Sequence, residues 1–132
     1  MWMTPKTDWT EKDVVLCSDY NRIKGNLIFL KELAVILYPP FDLAEMGMDK
    51  KEDDYPYADE INRLADNLER LSMGSYHMDV GEKIVYRDNG PFIAYEDLNR
   101  IERATLDMYK TLCGQREGRR TLTFMLGQRE VL

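Results

Sequence analysis

The chain has 132 residues, 44% of them hydrophobic, with a formal net charge of −6 and a pI near 4.8. That length suits one domain with a real core, not two. The acidic balance argues against a protein that wraps nucleic acid, which needs a dense Lys/Arg surface.

Met1 to Val15 shows no sustained hydrophobic period, contains Pro5, and carries Trp2 and Trp9; it is expected to be an extended arm with one turn near Thr10. Two large aromatic side chains on a short arm need a partner, either the protein's own bundle or a neighbouring subunit. Ser18 is a suitable N-cap and Asp19 suits the positive end of a helix. Tyr20, Ile23, Leu27, Leu30, Ala34 and Leu37 then follow at steps of three and four, the stripe of a helix packed on other helices. Ile28, Val35 and Ile36 widen that stripe, and Pro39 and Pro40 stop the helix.

The connection Phe41–Tyr55 is long enough to include a short helical turn at Asp42–Met46. A second helix begins after Pro56, with Ile61, Leu64, Leu68 and Leu71 on one face. Ile84–Arg87 is β-branched and aromatic, and Asp88–Pro91 carries turn chemistry, so a short strand and a turn are predicted there. Leu98, Ile101, Thr105, Met108 and Leu112 mark a third helix that Gly114 is expected to close. Thr121–Leu126 alternates like a strand and would pair with Ile84–Arg87 or remain an open edge. The predicted architecture is mainly α. A three-helix bundle over 16–132, with helices at about 18–38, 57–72 and 95–112, follows an extended arm over 1–15 and ends in a short C-terminal β-strand or two-stranded ribbon.

The opening MWMTPKTDW lacks the n-region and h-region of a signal peptide, and the apolar stretch Leu27–Leu37 is broken by Lys31 and Glu32, so neither secretion nor a membrane is expected. Cys17 and Cys113 form no CxxC pair and no disulfide framework; a reduced state is the default, with a single bridge left open. Charge is unevenly spread. Residues 42–69 hold ten Asp/Glu and three Lys/Arg, net −7, whereas 110–132 hold five Lys/Arg and two Glu, net +3.

One pattern recurs. DYNRI at Asp19, EINRL at Glu60 and DLNRI at Asp97 each read acid, apolar, Asn, Arg, apolar, at helix starts 41 and 37 residues apart. A chain of this size should contain an Asn-Arg-Ile/Leu triplet by chance only on the order of a few hundredths of the time. Three copies make an internal repeat. The arginine is unfavourable in a first helical turn, so a carboxylate or carbonyl must offset it. Asn21, Arg22, Asn62, Arg63, Asn99 and Arg100 are therefore expected to act as structural joints, the arginines clamping the places where chain segments enter the bundle and the asparagines holding backbone groups. The competing reading is three arginines lining a polar-ligand or phosphate site.

Chemical motifs are sparse. His77 is the sole histidine, too little for an HExxH pair or the multi-histidine ligand sets typical of catalytic zinc. Read as an EF-hand from Asp42, the loop places Ala44 and Met46 where ligands belong. No GxxxxGK or GxGxxG occurs. No catalytic, cofactor-binding or metal residue is assigned, and an enzyme is not expected. Arg116, Arg119 and Arg120, with Lys110, form the one basic patch; as possible interface residues they join Trp2 and Trp9. That patch fits a solvated helix exit, or a socket for the acidic 42–69 region of a second copy, better than a nucleic-acid contact.

The stretches MWMTPKTDWTEKD, YPYADEINRL, DNGPFIAYEDLNRIE and GRRTLTFMLG, together with DYNRI, resemble small tail- or baseplate-associated structural proteins of tailed phages and prophages of Gram-positive bacteria. The likeness runs from Trp2 to Gly127 and is most specific in the PKTDW arm and the repeated Asn-Arg-Ile/Leu. It implies a protein made in the host cytoplasm and built into a virion, as a symmetric oligomer among other phage structural proteins. It carries over no catalytic residue. An adaptor or regulatory module binding one host or phage protein is the alternative.

Overall fold

The computed structural model describes residues 1–52, 54–88, 90 and 93–131, with side chains described as far as Leu122. The fold is a mainly helical three-helix bundle: α1 (Cys17–Leu37), α2 (Ala58–Gly74) and α3 (Tyr95–Val131). The acid of each repeat sits at the third helical position. Asp19 Oδ2 accepts the Leu16 N–H at 2.8 Å and Glu60 Oε1 accepts the Tyr57 N–H at 2.9 Å, the backward half of a capping box. Ser18, the expected N-cap, lies inside α1, and Leu16 takes the cap position instead.

The stripes anticipated for packing are the core. Tyr20, Ile23, Leu27, Leu30, Ala34 and Leu37 of α1 meet Ile61, Leu64, Leu68 and Leu71 of α2 and Leu98, Ile101, Met108 and Leu112 of α3, all buried. Each fully buried Leu or Ile side chain contributes about 1.5–3 kcal/mol. Ile28, Val35 and Ile36 do not widen the buried stripe; they remain at least partly exposed, and Leu33 is buried in the face they were expected to extend.

All three helices run in the same direction. At their starts, Lys50 joins Asn21 of α1 to Glu60 of α2, and Arg22 of α1 reaches Glu102 of α3. At the other end, the Phe41 ring just past α1 fills the space beside Gly74 that a Cβ would need, and the Tyr38 hydroxyl donates to Gln115 of α3 at 2.9 Å. A parallel bundle needs long returns, and the chain supplies them as extended segments before α2 and α3. The arm before α1 makes a third.

Several expectations are corrected. Thr121–Leu126 is helical, and among the described residues there is no strand. Ile84–Arg87 is extended but cannot serve as a ribbon partner through Tyr86, whose N–H and C=O are both taken by Asn62. Gly114 does not close α3, which continues to Val131. A helix already nucleated propagates cheaply, and six alternating residues are too few to override it. Residues 116–131, about 24 Å of helix at 1.5 Å per residue, extend past the level where α1 ends. Asp42–Met46 forms no helical turn. The turn near Thr10 is present, closed by the Asp13 N–H on the Thr10 carbonyl at 3.0 Å. Of the expected Asp88–Pro91 turn, Asn89 and Pro91 lie outside the described residues, while the Gly90 N–H donates to the Arg87 carbonyl at 3.0 Å.

Candidate functional site

The helices divide the chain into three units, α1 with the residues before it (1–16), α2 with the link 38–57, and α3 with the link 75–94. The repeat's asparagines join them. Asn21 Oδ1 accepts the Lys50 N–H at 2.7 Å while its Nδ2 donates to the Lys50 carbonyl at 2.9 Å. Asn62 brackets Tyr86 in the same way, at 2.8 Å for both bonds. Asn99 brackets Trp9, at 2.8 and 3.0 Å. A side-chain amide presents an acceptor and a donor side by side, so it pairs with one extended residue as a neighbouring strand would. The order is cyclic: α1 holds the second segment, α2 the third, and α3 the first. The ring of three units closes through Trp9.

Two further asparagines do the same work within a unit. Asn26 brackets Met3 at 2.8 and 2.7 Å, and Asn67 brackets Ala44 at 2.7 and 2.9 Å. Each lies five positions after the repeat's asparagine, about 140° further round the helix at 3.6 residues per turn, and so faces the segment on the other side. Met3 and Ala44 each stand six residues before Trp9 and Lys50. In the third unit the corresponding positions are Ala104 and Val80, and the asparagine is missing. There Arg100 Nη1 donates to the Val80 carbonyl at 2.6 Å. Gly81 has φ +82°, and a Cβ on it would fall 2.7 Å from the Arg100 side chain. Glycine is required on both counts.

The arginines, expected to be the common clamp, do three different things. Arg22 is bidentate on Glu102, at 2.9 and 3.0 Å, and also donates to Asp19 at 2.8 Å. Burial works against its charge, but Asp19 and Glu102 outweigh that and hold the guanidinium above its ordinary value. Arg63 is exposed and makes one long contact, 3.4 Å, to the Glu45 carbonyl. Arg100 donates to Asp97 Oδ1 at 2.7 Å as well as to Val80, while its Nη2 is buried with no partner among the described residues.

Glu102 was not singled out by the sequence, yet it is the most heavily bonded acid. It is almost fully buried and accepts Arg22, the Lys6 N–H at 3.1 Å and the Trp9 indole N–H. Asn26 and Asn67 were missed too; the Asn-x4-Asn spacing in the first two repeats was the available signal. Tyr86 presents its hydroxyl to Asp97 at 2.9 Å. Burial, together with Asp97, pushes that phenol up to about 12, and burial together with Glu60 does the same to Tyr20.

Trp9 is buried in the core, and half-buried Trp2 stacks on Tyr109 with ring centroids 4.1 Å apart. Of the two partners open to the arm, its own bundle is the one it packs on. Arg119 Nη2 donates to the Leu37 carbonyl at 2.8 Å, a cation on the negative end of α1. Arg116 is half-exposed and Arg120 exposed, and among the described residues no ion pair links this patch to the acidic 42–69 region. Cys17 and Cys113 are free thiols. His77 is exposed just after the turn at Ser75–Tyr76, at φ +59°. Among the described residues no three metal-ligating side chains gather.

A cavity of about 160 Å³ opens near the helix starts, lined by Val15, Pro56, Tyr57, Ile61, Tyr86 and Ile93 among others. None of the six Asn-Arg residues lines it. Compared with protein-family models, curated proteins and solved structures, the chain has no match.

Proposed function

We propose that this chain is a non-enzymatic structural component of a phage or prophage virion, in the tail or baseplate, acting through protein–protein contacts. The reading rests on the resemblance carried by the PKTDW arm and the three helix starts. One observation supports it above the others: the repeated polar residues bind three separate backbone segments, and do not converge on one open cavity. Residues spent on joining chain to chain are the equipment of a scaffold. Electron microscopy of purified particles with this chain labelled tests the proposal. Label at the tail or baseplate is the expected result, and particles without label overturn it.

The adaptor reading is favoured by exposed apolar side chains just before two helix starts, Val14 and Leu16 before α1 and Tyr55 and Tyr57 before α2. Such a surface fits a protein partner. Capture of tail proteins from an induced lysate supports the virion role, and capture of one host enzyme or polymerase supports the adaptor.

Charge offers a way for copies to meet. The acidic 42–69 region of one copy faces the 110–120 region of the next in the proposed oligomer, a heterologous contact of the kind that closes rings. Light scattering at low and high salt checks it: association that weakens with salt is expected, and a monomer at high protein concentration in low salt removes the ring.

A further inference from the structure

The three extended segments are held alike but tethered differently. Segments 38–57 and 75–94 are anchored by a helix at each end, so neither can leave without unfolding the bundle. The segment before α1 lies outside all three helices and joins them through the exposed stretch Thr10–Val14. We infer that the groove between α1 and α3 that holds Met1–Thr10 is a docking site for the same arm of a second copy, so that copies link arm to groove. The inference goes beyond the virion reading and stands without it.

The groove recognises the arm mostly through its backbone. Asn26 takes both polar groups of Met3, Glu102 the Lys6 N–H, Arg103 the Thr7 carbonyl at 3.2 Å, and Asn99 both groups of Trp9. Trp9 fills the core beside Glu102, and Trp2 lies on Tyr109 and Phe29. Every one of these contacts is indifferent to which molecule supplies the arm. The link to α1 is built as a hinge: Thr10 to Val14 is exposed throughout, and its internal order is a single turn closed on Asp13. Val14 and Leu16, 70% and 54% exposed, leave apolar surface beside that hinge which two crossing hinges would cover. Exchange of an identical element between copies is a low-cost route to assembly, and removing slack from a hinge favours it. In the closed monomer the arm benefits from an effective concentration on the order of millimolar, so exchange takes over where copies are crowded or the hinge is short.

The first experiment deletes Glu11–Val14 from the full chain, removing up to about 13 Å of reach. The expected result is a mass by light scattering that doubles, with tryptophan emission still that of a buried ring and helical circular dichroism retained. Adding Asn99→Ala should weaken this dimer about tenfold or more, the scale of two lost hydrogen bonds. A helical monomer with solvent-exposed tryptophan emission would overturn the inference. The second experiment leaves the hinge intact. A photo-crosslinking side chain replaces Met3 in one population, which is mixed with a mass-tagged second population. Crosslinks from the arm to the Asn26 region of the tagged copy, rising with concentration, support exchange; intramolecular crosslinks alone at every concentration overturn it. Neither readout depends on where the chain sits in a particle.

Discussion

In the first two units an asparagine amide holds each entering segment by both polar groups of one residue, at Met3 and at Ala44. In the third unit the same place on the helix is Ala104, and an arginine from one turn earlier takes only the Val80 carbonyl. Two neutral bonds in one plane are exchanged for one charged bond, and a second guanidinium nitrogen is buried with no partner among the described residues. The geometry of the joint is kept while its donor changes. What recurs is therefore the requirement that an extended segment bury its peptide groups against a helix, where an unpaired group is costly. The residue that meets the requirement is negotiable.

The closing joint between the first and third units should be the most sensitive. Glu102→Ala removes the acceptor for Arg22, Lys6 and Trp9 together, leaving Arg22 with Asp19 alone. Breaking a buried pair from one side costs about 3–5 kcal/mol; urea unfolding should show that loss, and a change under about 1 kcal/mol would mean the ring is not held there. Asn67→Ala, at a fully buried position, strands both polar groups of Ala44 and should cost about 2–3 kcal/mol. If Ala44 can turn to water instead, the measured cost will fall below about 1 kcal/mol and the joint is a convenience.

Alkali sharpens the comparison at the third unit. An unfolded tyrosine loses its proton near 10, whereas Tyr86 and Tyr20 hold theirs to about 12 in the fold. The folded state then binds more protons than the unfolded chain, so stability is intact below about pH 10 and falls as pH rises towards about 12. Tyr86→Phe should flatten part of that fall in a pH series of unfolding midpoints. Ala104→Asn tests the missing clamp directly: a gain of about 0.5–1 kcal/mol is expected, and a loss would show that Arg100 already fills the place of the absent amide. The smallest effect belongs to Arg63→Ala. This exposed residue makes one long hydrogen bond, and its removal should stay within about 0.5 kcal/mol, in contrast to Arg22→Ala.

The helical stripes were legible because a period of three and four is written locally, and every stripe residue that began at a repeat is buried. The repeat was legible for the same reason. The roles inside it were less so: the arginine drew attention because its charge opposes the helix dipole, yet the residue making the same contact three times is the asparagine. Taken singly, Asn26 and Asn67 carry no local sign of their role, since their partners lie 23 residues away in each case. Thr121–Leu126 is helical despite its alternation, because six alternating residues carry no information about whether a strand partner is free, and the Tyr86 backbone is already taken by Asn62.

By itself the sequence determined three helices with the same start, their buried faces, and an arm that must find a partner for its tryptophans. These follow from side-chain periodicity, dipole and turn chemistry within a few residues. The parallel course of the helices, the cyclic order in which each asparagine holds the next unit's segment, and the burial of Glu102 beneath Trp9 were decided only by the tertiary structure. Peptide groups of an extended segment have no local partner, so what satisfies them is settled by which distant helix lies alongside.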